Sequence, residues 1–145
     1  MRKMTGGVFD EPVEPPVEKP TTPPSTEDLR TININDEIMA VVGTNSWNAI
    51  AYGNGKYVAV GSSGYVTTST DGINWTTYKV DSSATYNWAD IAYGNSKFVV
   101  VGSSGRISTS SNGTTWTTPN WFDSSHNLLS IAYGNGKFVT MGNGS

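Results

Sequence analysis

The chain contains no cysteine and a single histidine among its 145 residues, and only 14% of it is charged. Without thiols there is neither a disulfide framework nor a thiolate zinc site. Glutamate is absent after Glu37, and from residue 43 onward one arginine, Arg106, accompanies four lysines and four aspartates. That near-neutral stretch lacks the clustered Lys and Arg that phosphate neutralisation requires, which argues against a nucleic-acid partner. No apolar run approaches the ~20 residues of a helical bilayer span, so membrane insertion by that route is excluded. The opening MRKMTGGVFDEP has two basic residues with no apolar stretch behind them and does not read as a secretory signal.

What is present is unevenly placed. Six of the seven prolines precede residue 25, whereas 15 of the 16 aromatic residues follow residue 46. Residues 1–30 therefore form a Pro-rich acidic arm. Prolines 12, 15, 16, 20, 23 and 24 favour extended polyproline-like geometry, and Val13 and Val17 are too few to build a core. Met4, Val8 and Phe9, ahead of this spacer, are the residues expected to dock on a partner. Residues 31–46 connect arm to body, with TININDEIMAVV (31–42) expected as one strand.

The body is a repeat. Residues 47–77 (WNAIAYGNGKYVAVGSSGYVTTSTDGINWTT) align without a gap to 88–118 (WADIAYGNSKFVVVGSSGRISTSSNGTTWTT), with 19 of 31 positions identical at a spacing of 41. A third copy opens at Leu128 and runs to Ser145. The units are 47–87, 88–127 and an incomplete 128–145.

Each copy encodes short strands between tight turns. In the first, strands are expected over 47–52, 56–60, 65–70 and 74–80. Asn54-Gly55 and Asn135-Gly136 are strong hairpin signals, and Asn95-Ser96 is a weaker version. The result is an all-β body of antiparallel four-stranded meanders with no helical periodicity. Such a meander of ~40 residues cannot bury both faces by itself and must stack on its copies. Small residues on the first strands (Ala49, Ala51, Ala59, Ala92, Ala132) suit a crowded axis, and Trp75 and Trp116 suit the wider periphery. This favours a partial β-propeller of about two and a half blades over a β-solenoid or sandwich. Propellers close with about four to eight blades, so the expectation is that further chain follows or other chains complete the ring.

The turn before the fourth strand reads Ser69-Thr70-Asp71-Gly72-Ile73-Asn74-Trp75, and Ser110-Ser111-Asn112-Gly113-Thr114-Thr115-Trp116 in the second copy. An Asp or Asn acceptor followed by Gly and anchored by Trp has the chemistry of a hydrogen-bonded turn staple. The pattern resembles the Asp-box of bacterial neuraminidase-type repeats, with one residue fewer between Asp and Trp and with Asn at 112. With the I-A-Y-G-N-G-K-[FY]-V signature it is similar to repeats of bacteriophage virion proteins and of some bacterial surface proteins. The Gly-His and Trp-Asp marks of WD-type repeats are missing.

The resemblance implies glycan chemistry, but the residues give little means for catalysis. Glycosidases use paired carboxylates, and sialidases a Tyr with an acidic partner and an Arg cluster. Tyr52, Tyr93 and Tyr133 recur in every copy and read as repeat structure. His126 has no evident triad serine in the sequence, so no catalytic residue, metal or cofactor is assigned. Binding residues are expected in the segments that vary between copies, 78–87 and 119–127: Tyr86, Trp121, Phe122, Asp123 and His126. The resulting expectation is a non-enzymatic bacteriophage virion protein (tail fibre, head fibre or capsid decoration). It would assemble in the host cytoplasm, bind other virion proteins through the arm, oligomerise, and present the repeats to a host-surface glycan or receptor. The alternatives are a bacterial surface or secreted glycan-binding module and the N-terminal part of a glycoside hydrolase.

Overall fold

The computed structural model describes residues 31–34 and 37–40 as backbone, together with residues 42 and 45–144. The Pro-rich arm and its Met4, Val8 and Phe9 lie outside the described residues.

Strands β1 (Thr31–Ile34) and β2 (Glu37–Ala40) pair antiparallel from Thr31↔Ala40 to Ile34↔Glu37. The segment expected as one strand is thus a hairpin. The two residues between its strands in sequence, Asn35 and Asp36, are types that favour turns.

The first repeat is an antiparallel sheet ordered β3 (Trp47–Gly53), β4 (Lys56–Gly61), β5 (Tyr65–Ser69), β6 (Thr76–Lys79). The second repeats it as β7 (Trp88–Gly94), β8 (Lys97–Gly102), β9 (Arg106–Ser110), β10 (Asn120–Trp121). The third contributes a hairpin, β11 (His126–Gly134) and β12 (Lys137–Gly144). The Asn54-Gly55 turn places both residues at positive φ, +48° and +75°, which matches its hairpin to the strand twist. In the second copy Ser96 accepts φ +59°, a conformation costly for a non-glycine residue. Each repeat also shifts register near the start of its first strand, at Trp47/Ala49, Trp88/Asp90 and Leu128/Ser130.

The fourth strands are shorter than expected. Strand β6 begins only at Thr76, because residues 71–75 are held in the preceding turn. In the second repeat β10 has just two residues, Asn120↔Ile107 and Trp121↔Arg106. Pro119, an extra residue relative to the first copy, has no N–H to give to the ladder.

The core lies between repeats. Val58, Val60 and Val66 of the first meet Trp88, Ile91, Phe98 and Val100 of the second. On the opposite face of β8, Val99 and Val101 meet Leu128 and Ile131 of the third. Strand β8 is therefore apolar on both faces and reads as an unbroken Phe-Val-Val-Val run. Burial of each such side chain contributes roughly 1.5–3 kcal/mol. Aromatic rings set the spacing: Tyr93 lies over Gly53, and Tyr133 over Gly94, so that a Cβ on either glycine would fall inside the ring. Polar bonds tie the end of each complete repeat back to its own second turn and the second repeat to the third. Ser63 N donates to Asn87 Oδ1 (3.0 Å) and Ser104 N to Asn127 Oδ1 (2.9 Å). Asp90 Oδ2 accepts from both Ser130 Oγ and Ile131 N, each at 2.8 Å.

Candidate functional site

The first Asp-box turn is built around one buried hydroxyl and one carboxylate. Ser69 Oγ accepts from Gly72 N (2.8 Å) and donates to Asp71 Oδ1 (2.8 Å). Asp71 Oδ1 also accepts from Ile73 N (2.9 Å) and Asn74 N (2.8 Å), and its Oδ2 from Asn74 Nδ2 (2.8 Å). Gly72, at φ +76°, turns its carbonyl to accept Trp75 Nε1 (3.0 Å). These donors, the Asn74 amide and side chain foremost, hold the Asp71 carboxyl well below the usual carboxylate range. A carboxylate so saturated is a poor proton donor.

The second turn keeps the geometry without the charge. Ser110 Oγ accepts from Gly113 N (2.8 Å), and Asn112 Oδ1 from Thr114 N (2.9 Å) and Thr115 N (2.8 Å). What changes is the surroundings. Gly113 is buried against Val58 and Lys56 of the first repeat, and its carbonyl accepts the Tyr78 hydroxyl instead of an indole N–H. Burial raises the Tyr78 phenol above its ordinary value, so the hydroxyl remains a donor.

The two connections share a backbone that their sequences obscure. Val80 N donates to Gly64 O (3.1 Å) and Phe122 N to Gly105 O (2.9 Å), which makes Phe122 the counterpart of Val80. Asp81 Oδ1 accepts from Ser83 N (3.0 Å) and Oγ (2.8 Å); Asp123 Oδ1 does the same with Ser125 N (2.9 Å) and Oγ (2.7 Å). Both carboxyls are pulled below their ordinary value by these serine bonds. Asp123 is thus a turn staple, and the signal for it was the Asp-Ser-Ser triplet at 81–83 and 123–125.

The structure also supplies a serine beside His126. Ser125 Oγ lies 3.0 Å, and Asp123 Oδ2 2.8 Å, from His126 Nδ1. Both contacts fall on the same ring nitrogen. A nucleophilic relay needs the hydroxyl on one ring nitrogen and the carboxylate on the other, so this trio does not have the arrangement of such a relay. Phe122 and His126 border a shallow cleft of about 210 Å³ with Leu128 and Met141. Phe122 is 77% exposed; its counterpart Val80 is half-buried beside Trp116, for which the described part of the third repeat has no equivalent.

Of the five candidate binding residues, Tyr86 and Trp121 are brought together by Arg106, the one arginine after residue 43. The Arg106 guanidinium lies 4.3 Å from the Tyr86 ring centre and 5.5 Å from that of Trp121. The first repeat has the same cross-strand pair with roles exchanged: Lys79 Nζ is 5.0 Å over Tyr65. Burial raises the Tyr86 phenol, with the Asp81 charge adding to the rise and Arg106 opposing it. Trp121 is 60% exposed and presents its ring beside the cation. Stacking occupies the faces of a guanidinium and leaves its edge N–H groups suited to hydrogen bonds. An exposed indole with donors alongside can take the apolar face of a ring and the polar groups at its rim.

Comparison of the chain with protein-family models, with curated proteins and with solved structures yields no match.

Proposed function

We propose that this chain is a non-enzymatic structural protein of a bacteriophage virion, whose repeats stack radially as β-propeller blades and display a host-surface glycan site. The observation that carries the binding part is the Tyr86–Arg106–Trp121 stack. It combines an exposed indole, a fixed cation and a rigid sheet edge on the connection whose side chains differ between repeats. The radial arrangement is supported by the inter-repeat core and by the small residues of the inner strands, including the buried Ala59. The virion assignment rests on the likeness of the repeat signature to those of phage fibre and decoration proteins. The Pro-rich arm would then attach to other virion subunits.

Two measurements test the proposal. A microarray of bacterial surface polysaccharides should show selective binding, and Trp121→Ala should remove it while the thermal transition is kept. Mass spectrometry of purified virions should find the chain among their components. Binding unchanged in Trp121→Ala would dispose of the site, and absence from every virion preparation would dispose of the assignment.

A further inference from the structure

An aromatic–cation pair occurs on the outer strands of both the first and the second repeat, and the two cations are used differently. In the first, Lys79 lies over Tyr65 and spends a donor on Ala84 O at 3.2 Å. In the second, Arg106 packs on Tyr86 and Trp121 and makes neither a hydrogen bond nor an ion pair among the described residues. A guanidinium carries five N–H donors in one plane. Here two rings hold that plane in position and its donors are unspent.

The place lies where the first and second repeats meet. Arg106 and Trp121 are directly opposite each other on β9 and β10, so their side chains leave the same face of the sheet. Tyr86 packs against the core that the two repeats share, with Val58 and Trp88 in it. Asp81, in the connection out of the first repeat, feels the charges of both Arg106 and Lys79. Its Oδ1 is engaged by Ser83 N and Oγ, and it forms no ion pair with the guanidinium. Two cations thus accompany one carboxylate, a local positive excess in a chain of net charge −3.

We infer that this place takes an acidic saccharide, with carboxylate or phosphate oxygens on the edge of the Arg106 guanidinium and the sugar ring against Trp121. A neutral sugar needs the indole and a few hydrogen bonds, but it gives an unpaired cation nothing to neutralise. The planar fork of arginine matches both anions, through two parallel N–H···O bonds. The inference rests on the glycan reading above and adds the charge of the ligand. Asp81 then opposes the ligand and Lys79 offsets Asp81.

The test places uronic-acid polysaccharides, phosphodiester-linked sugar polymers and neutral polysaccharides on one array, probed with the full 145-residue chain. Acidic polymers should be bound in preference to neutral ones, and which acidic set binds distinguishes carboxylate from phosphate. Arg106→Gln should weaken that binding about tenfold or more with an unchanged unfolding midpoint, the first repeat having the uncharged Tyr65 at the same place. Asp81→Asn, which keeps an oxygen acceptor for Ser83, should strengthen it. Raising the salt from about 0.05 to about 0.5 M should weaken binding by the wild type, because the Debye length shortens. If Arg106→Gln fails to fold, this salt dependence decides with the wild type alone. Preference for neutral polymers, or binding that neither salt nor Arg106→Gln alters, would overturn the inference; the glycan reading would still stand if Trp121→Ala removed that binding. Absence of binding to every polymer would overturn both.

Discussion

The first and second repeats keep one backbone and spend their differences in three places. The box acceptor is a carboxylate in one and an amide in the other, yet the two backbone amide bonds it accepts have the same lengths, 2.9 and 2.8 Å at Asp71 and 2.9 and 2.8 Å at Asn112, while the serine bond lengthens from 2.8 to 3.1 Å. The cross-strand cation–π pair exchanges its members, Tyr65 with Lys79 against Arg106 with Trp121. The second turn is buried by a neighbour and the first is open. What both repeats share is what the stack requires. What differs is side-chain chemistry on the outer strand and the connection, where a scaffold can vary without loss of fold.

The largest expected effect tests the shared part. Gly53→Ala and Gly94→Ala push a methyl into the Tyr93 and Tyr133 rings and should each cost about 1–3 kcal/mol in urea unfolding. Gly134→Ala meets nothing and should stay within ~0.5 kcal/mol in the isolated chain. Equal effects at all three positions would break the equivalence of the repeats. Next in size are the box serines. Ser69→Ala and Ser110→Ala each remove an acceptor for a turn amide, at roughly 1–3 kcal/mol where the amide is left buried and unpaired. Ser110 should be the costlier, because Gly113 is buried and Gly72 is not.

The charge difference is sharpened by pH. Because the folded Asp71 carboxyl is depressed, its stabilisation is fully present above the unfolded-state value of about 3.9 and is lost as pH falls through the lower folded value. Asp71→Asn should therefore flatten the fall of the unfolding midpoint between neutral pH and acid, and Asn112→Asp should steepen it. Asp81 and Asp123, depressed by their serine bonds, leave a remainder that neither variant removes. The smallest effect is expected from Tyr78→Phe, about 0.5–1.5 kcal/mol for the bond to Gly113 O, read from the same unfolding curves.

Much of the fold was legible before the structure. Asn-Gly turns and alternating apolar runs mark the antiparallel meanders, and the spacing of 41 marks the unit. The hairpin at 31–40 was missed because Ile32, Ile34, Ile38 and Met39 read as one apolar stretch across an Asn-Asp pair that lacks glycine. The length of the fourth strands was misjudged where one proline changes the ladder. The candidate site was less legible. Arg106 replaces a tyrosine in the alignment, and only its pairing partner, set by the Pro119 insertion, brings it to Trp121. The Asp-Ser-Ser staple was visible in the sequence, but the connections differ in length and the repeat alignment passed over it.

The central functional claim is that recognition resides on the outer strand of the second repeat. Its most direct measurement is a calorimetric titration of the polysaccharide selected by the microarray into wild type and Trp121→Ala. The account predicts at least a tenfold loss of affinity, about 1.4 kcal/mol, with an unchanged unfolding midpoint. Equal affinity in the two proteins would contradict it.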